Sequence, residues 1–275
     1  MSHASDAMSG SAIAGAPVDA EVSVNDTSMM VDAERVRCTD PERYCADPKY
    51  RRAFQKVHDR RFTCIDLNHS DVINVSGLAG VGEVNLRWCC GVTDVSMLGS
   101  VRILNLSWCR GVTDVSMLGG VEMLNLCGCQ RVSDVSALGG VGILDLTKCW
   151  KVTDVSALGG VQNLNLSWCH GVTDVSALGG VRNLNLSWCR NVTDVSALGG
   201  VRKLNLYWCC GVTDVTALDD VRKLDLSGCL GVTDVTTLRG VRYLNLQCCM
   251  ADVSTLGDFL KFDWYGVNKD STTHH

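Results

Sequence analysis

From Val81 onward the apolar positions recur with a period of twenty residues. The clearest copy runs from Val181 to Gly200, VRNLNLSWCRNVTDVSALGG. Numbered 1 to 20, a copy is apolar at positions 1, 4, 6, 9, 12, 15 and 18, here Val181, Leu184, Leu186, Cys189, Val192, Val195 and Leu198. Further copies begin at Val81, Val101, Val121, Val141, Val161, Val201 and Val221. A copy two residues short near Met250 begins at Val241, and a divergent one begins at Phe62, where Ile65, Asp66 and Leu67 replace Leu-Asn-Leu. The array thus covers residues 62–258 in ten copies.

Within a copy the period changes. Leu184-x-Leu186 alternates with period two and predicts a short strand. Asp194 is placed to cap one tight turn through Leu198, and Gly199-Gly200 supplies permissive backbone before the next strand. One copy is therefore one coil of strand, turn, short 3₁₀ or helical segment, and turn. A single coil buries too little apolar surface to offset the entropy of ordering it. Neighbours must share hydrogen bonds and a core, so the coils stack into a solenoid.

The run Val181-x-x-Leu184-x-Leu186-x-x-Cys189-x-x-Val192 resembles the leucine-rich repeat, in its cysteine-containing form found in F-box-associated, protist and large-virus proteins. It departs from that pattern in its first Val, in one extra residue after the Cys, and in its short period. The resemblance implies an α/β leucine-rich repeat solenoid, a curved right-handed coil with a parallel sheet on its concave face. The short period favours turns or 3₁₀ segments over full helices on the convex face. The resemblance also implies that positions 3, 5, 7 and 8 face solvent on the sheet side.

Four columns of chemistry then follow. Cys at position 9 (Cys89 through Cys249) reads as a small apolar filler whose thiol donates weakly to loop backbone. Asp at position 14 (Asp94 through Asp234, with Asp252 as the last) reads as a turn cap; the Gly-rich spacing of calcium-binding rolls is absent. Asn at position 5, including Asn165, Asn185 and Asn205, reads either as an amide ladder along the sheet or as the polar floor of a binding surface. Trp88, Trp108, Trp168, Trp188 and Trp208 at position 8 form a row interrupted by Gly128, Lys148 and Gly228. These indoles either roof the sheet edge by packing on one another or present an aromatic binding surface. Position 3 changes from Glu83, Ile103, Met123 and Ile143 to Lys203 and Lys223, and Arg182, Arg202, Arg222 and Arg242 accompany the basic end.

Composition changes this picture little. A formal net charge of −5 does not point to nucleic acid or an anionic membrane. Sixteen cysteines without a disulfide spacing favour a reducing, cytoplasmic setting. Residues 1–32 read as a disordered tail without a signal peptide. Residues 33–61 read as a helical cap that starts at Asp47-Pro48 and turns Tyr50, Ala53, Phe54 and Val57 toward the first coil. Residues 259–275 read as a second cap and tail, with Phe259, Leu260, Phe262, Trp264 and Tyr265 covering the far end. Cys38, Cys45, His58 and Cys64 fit no zinc spacing.

No catalytic motif is present, so the expectation is a non-enzymatic protein–protein interaction scaffold without metal or cofactor. The expected binding residues are Trp88, Trp108, Trp168, Trp188, Trp208, Asn165, Asn185, Asn205, Lys203 and Lys223. The expected partner is a protein, an acidic one if the basic strip decides, and the chain itself is expected to be monomeric. A ubiquitin-ligase substrate receptor, with the N-terminal helix as adaptor contact, is the alternative.

Overall fold

The computed structural model describes residues 36–251. The elements are β1 (Val36–Arg37), α1 (Pro41–Ala46), α2 (Pro48–Val57), β2 (Thr63–Asp66), β3 (Glu83–Asn85), β4 (Ile103–Asn105), β5 (Met123–Asn125), β6 (Ile143–Asp145), β7 (Asn163–Asn165), β8 (Asn183–Asn185), β9 (Lys203–Asn205), β10 (Lys223–Asp225) and β11 (Tyr243–Asn245). A 3₁₀ segment follows each strand from β2 to β10 and leads to the next. The eleven strands pair in chain order into one sheet. All pairs are parallel, and each repeat position stands beside its own equivalent, as in Leu164↔Leu184 and Leu184↔Leu204. This is the solenoid of stacked coils that the period predicts, with the parallel sheet that the leucine-rich repeat resemblance implies.

All seven apolar positions of the copy at Val181 are at most 2% exposed. The same positions in the neighbouring coils merge with them into one continuous core. The 3₁₀ segment Ser196–Gly200 starts where Asp194 predicts it: the Asp194 carboxylate accepts the Ser196 N–H at 2.9 Å. Asp94, Asp114, Asp134, Asp154, Asp174, Asp214 and Asp234 do the same. Asp252 and the C-terminal cap lie outside the described residues.

The glycine pair has a different purpose from the one expected. Gly119 has φ −62°, an ordinary right-handed value. What requires glycine at position 19 is the next coil: a Cβ on Gly179 would lie 2.4 Å from the carbonyl oxygen of Ala197. Apart from Gly80, with φ 72°, the left-handed backbone falls instead at position 8, where Trp88, Trp108, Lys148, Trp168, Trp188 and Trp208 all have φ between 57° and 64°.

The N-terminal cap is larger than Asp47-Pro48 alone predicts. The same Asp-Pro signal stands at Asp40-Pro41, where Asp40 accepts the Arg43 N–H at 3.0 Å and starts α1. Asp47 caps α2 by accepting from Lys49 and Tyr50. Tyr44 of α1, fully buried, is the plug; Phe54 stands edge-on to it with ring centroids 5.7 Å apart. Tyr50 and Phe54 pack on the core as expected. Ala53 and Val57 do not: both are exposed, Val57 by 76%, and Tyr44 of α1 is the cap residue that is buried. The two-residue β1 then pairs with β2 and covers the sheet edge.

Candidate functional site

The strand ends through its own side chains. Asn165, Asn185 and Asn205 accept the backbone N–H two residues on, from Ser167, Ser187 and Tyr207, at 3.0, 2.9 and 2.8 Å. Such Asx turns need a carboxamide or carboxylate oxygen, so Asp145 and Asp225 substitute at this position with the same bond, at 2.8 and 2.9 Å. The position-5 column is thus first a chain-turning device. The amide nitrogens add a ladder at places, as where Asn245 Nδ2 donates to Asp225 Oδ2 at 3.2 Å. Asp145 is 6% exposed, and burial pushes its carboxyl above the ordinary range.

The turn closes when the Cys189 N–H donates to the Leu186 carbonyl at 2.9 Å. Its third residue, Trp188, has φ 64°, the left-handed conformation that a type II turn demands there. This is why Gly128 and Gly228 can replace Trp. Position 7 faces solvent only in part: Ser107, Ser167, Ser187 and Ser227 are buried beneath the turn, whereas Tyr207 at the same position is exposed.

The left-handed turn throws each indole onto its neighbour. Trp168 and Trp188 stack at 4.5 Å and 12°, and Trp188 and Trp208 at 5.2 Å and 4°. His69, Trp88 and Trp108 form a second stack, at 5.8 and 4.9 Å. A left-handed non-glycine residue costs about 1–2 kcal/mol, and a stacked aromatic pair returns about 0.5–1.5 kcal/mol. The stack is therefore of the right size to offset the strain of the turn that builds it.

Lys148 does not interrupt the row. Its ammonium lies 5.7 Å from the Trp108 ring and 5.9 Å from the Trp168 ring, and so bridges the two stacks. The Gly128 gap is filled from the side, since a Cβ there would lie 2.6 Å from the Trp108 indole. Arg190 lies over Trp188 at 4.8 Å, and His170 and Tyr207 meet Trp168 and Trp188 edge-on. These flanking groups escaped the sequence reading because their repeat positions are variable. All five indoles remain half-buried and present edges, because their faces are taken by one another.

Lys203 and Lys223 stand side by side in register on β9 and β10, both exposed. The thiols of the Cys column point inward and donate to the carbonyl of position 6 one coil back, from Cys109 to Leu86 at 2.9 Å through Cys229 to Leu206 at 3.0 Å. Burial pushes the Cys109, Cys189 and Cys229 thiols up to about 12. None of the sixteen cysteines is in a disulfide. Among the described residues no cluster of His, Cys, Asp or Glu is arranged to hold a metal ion, and no helix is long and apolar enough to cross a membrane.

No protein-family model matches the chain, and no curated protein does. Solved structures similar to it include an internalin (InlF) of Listeria monocytogenes, at 17% identity and a TM-score of 0.41, covering 73% of this chain and 84% of that one. Internalin C2 of the same organism matches at 20% identity and 0.43, over 82% and 96% of the two chains. A leucine-rich repeat protein of Leptospira interrogans matches at 16% identity and 0.41, over 64% and 57%.

Proposed function

We propose that this chain is a non-enzymatic scaffold that binds a protein partner across the open face of its sheet. The observation that supports this is the repetition of the face itself. Each coil places its position-3 side chain beside its equivalent, and the position-8 rings of neighbouring coils stack wherever both are aromatic, so one surface runs across ten strands without a break in register. Indole edges, with Tyr207, His170 and Arg190 around them, give this surface the residue types that dominate interface energetics. Asn165, Asn185 and Asn205 hold the strand ends, and Lys203 and Lys223 supply charge. Cysteines held as thiols, outside any disulfide, fit a reducing compartment.

A photo-crosslinking residue at Tyr207 or Lys203, compared with one at Ala177 or Ala197 on the exposed 3₁₀ side, tests the reading. A protein trapped from the first pair and not from the second supports it. Equal capture from both sides, or none, contradicts it.

The exposed Ala53 and Val57 on α2 favour one second reading, a ligase substrate receptor whose adaptor meets that helix. Deleting the cap would also remove Tyr44 from the core, so Val57→Asp is the cleaner test. Retained ligase association in that variant removes this reading.

A further inference from the structure

The position-3 column is not uniform along the array. In register it runs Glu83, Ile103, Met123, Ile143, Asn163, Asn183, Lys203, Lys223 and Tyr243. Ile103 is 4% exposed, Met123 and Ile143 are half-buried, and Lys203 and Lys223 are exposed. The two asparagines between them join, with Asn183 Nδ2 donating to Asn163 Oδ1. Beside the lysines, Arg182, Arg202, Arg222 and Arg242 are exposed one after another at position 2. Their backbones are linked coil to coil, Arg202 N–H to the Arg182 carbonyl at 3.0 Å and Arg222 N–H to the Arg202 carbonyl at 3.1 Å. Among the described residues none of these six cations forms an ion pair with a carboxylate. Like charges directly opposite on neighbouring strands repel. This end of the face therefore carries electrostatic repulsion that an anionic partner relieves.

We infer that the face takes an amphipathic helix with a defined direction, its apolar part on the half-buried Met123 and Ile143 and its acidic part on Lys203, Lys223 and the adjoining arginines. This rests on the binding reading above and names the partner's chemistry. The spacing supports a helix. Adjacent strands are about 4.8 Å apart, close to the roughly 5.4 Å of one helical turn, so acids three and four residues apart meet successive coils. Alternate residues of an extended chain are about 6.6 Å apart and fall out of step within two coils. From Met123 to Lys223 is five coil steps, roughly 24 Å, which a helix of roughly 16 residues spans. A polynucleotide is disfavoured by the net charge of −5.

Fluorescence anisotropy on the full chain tests this with three labelled probes: a synthetic alanine-based helix with leucines in one half and glutamates at i, i+4 spacing in the other, the same helix with lysines for glutamates, and a single-stranded oligonucleotide. The acidic helix is expected to bind, to weaken with added salt, and to lose at least tenfold in affinity for Lys203→Glu/Lys223→Glu, a variant that melts as the parent does because both side chains are exposed. The lysine helix is expected not to bind. No binding of the acidic helix, binding indifferent to the charge reversal, or tighter binding of the oligonucleotide overturns the inference. A protein crosslinked at Tyr207 whose capture ignores the reversal would overturn it too, and would leave the scaffold reading standing.

Discussion

The thiol of Cys189 donates to the carbonyl oxygen of Leu166, 23 residues earlier, at 3.0 Å. That oxygen also accepts the Cys169 N–H at 3.0 Å, so one carbonyl closes the turn of its own coil and ties it to the next. The bond needs a protonated thiol, and burial holds Cys189 at about 12 against an ordinary 9.0. In the unfolded chain the thiols ionise first, so the native state binds more protons between those values and stability falls as pH rises. On the acid side the hydroxyl and backbone N–H of the Ser or Thr two residues on hold the position-14 carboxyls, such as Asp94 and Asp234, below 3.8. That stability is present above 3.8 and is lost as pH falls through the lowered values. Chemical denaturation across pH is expected to give a plateau that declines above about pH 9, with a shallower alkaline slope in Cys189→Ala. An unchanged slope would mean that the thiol is not held protonated.

Trp188 carries two opposed effects, a left-handed backbone and two stacked neighbours. Glycine and alanine both abolish stacking, but only glycine relieves the backbone. Trp188→Gly should therefore be more stable than Trp188→Ala by about 1 kcal/mol, and both should be less stable than the parent. Denaturation midpoints compare the three; an alanine variant as stable as the glycine one would show that the turn is not strained.

Gly179 and Gly80 separate close approach from backbone freedom. Gly179 has the Ala197 carbonyl where its Cβ would be, whereas Gly80 has φ 72° and nothing within 4 Å. Gly179→Ala should force neighbouring coils apart at about 1–3 kcal/mol, and Gly80→Ala should cost about 1 kcal/mol of backbone strain alone. Thermal unfolding that ranks them the other way would misplace the inter-coil contact.

The repeat period, the seven buried positions and the Asp caps were legible because each rests on local chemistry repeated many times. The second Asp-Pro signal at Asp40 is equally local, but its short helix gives no apolar stripe that marks Tyr44 as the plug. Other features need three dimensions. The left-handed turn at position 8 is visible only faintly, in Gly128 and Gly228 replacing Trp. The reason for Gly179 lies in Ala197 of the next coil, and the bridging of two indole stacks by Lys148 depends on register. Side chains that act within a coil announce themselves in sequence, and those that act between coils do so only once the stacking is known.

Removing residues 181–200 tests most directly whether interchangeable coils are held by their neighbours. The deletion sets Leu164 opposite Leu204 and Trp168 beside Trp208, contacts equivalent to those lost. The shortened chain is expected to unfold cooperatively with modestly reduced stability, while removal of residues 181–190 alone, which breaks the register, should collapse it. Equal loss of cooperative unfolding in the two deletions would contradict the repeat-by-repeat construction of this fold.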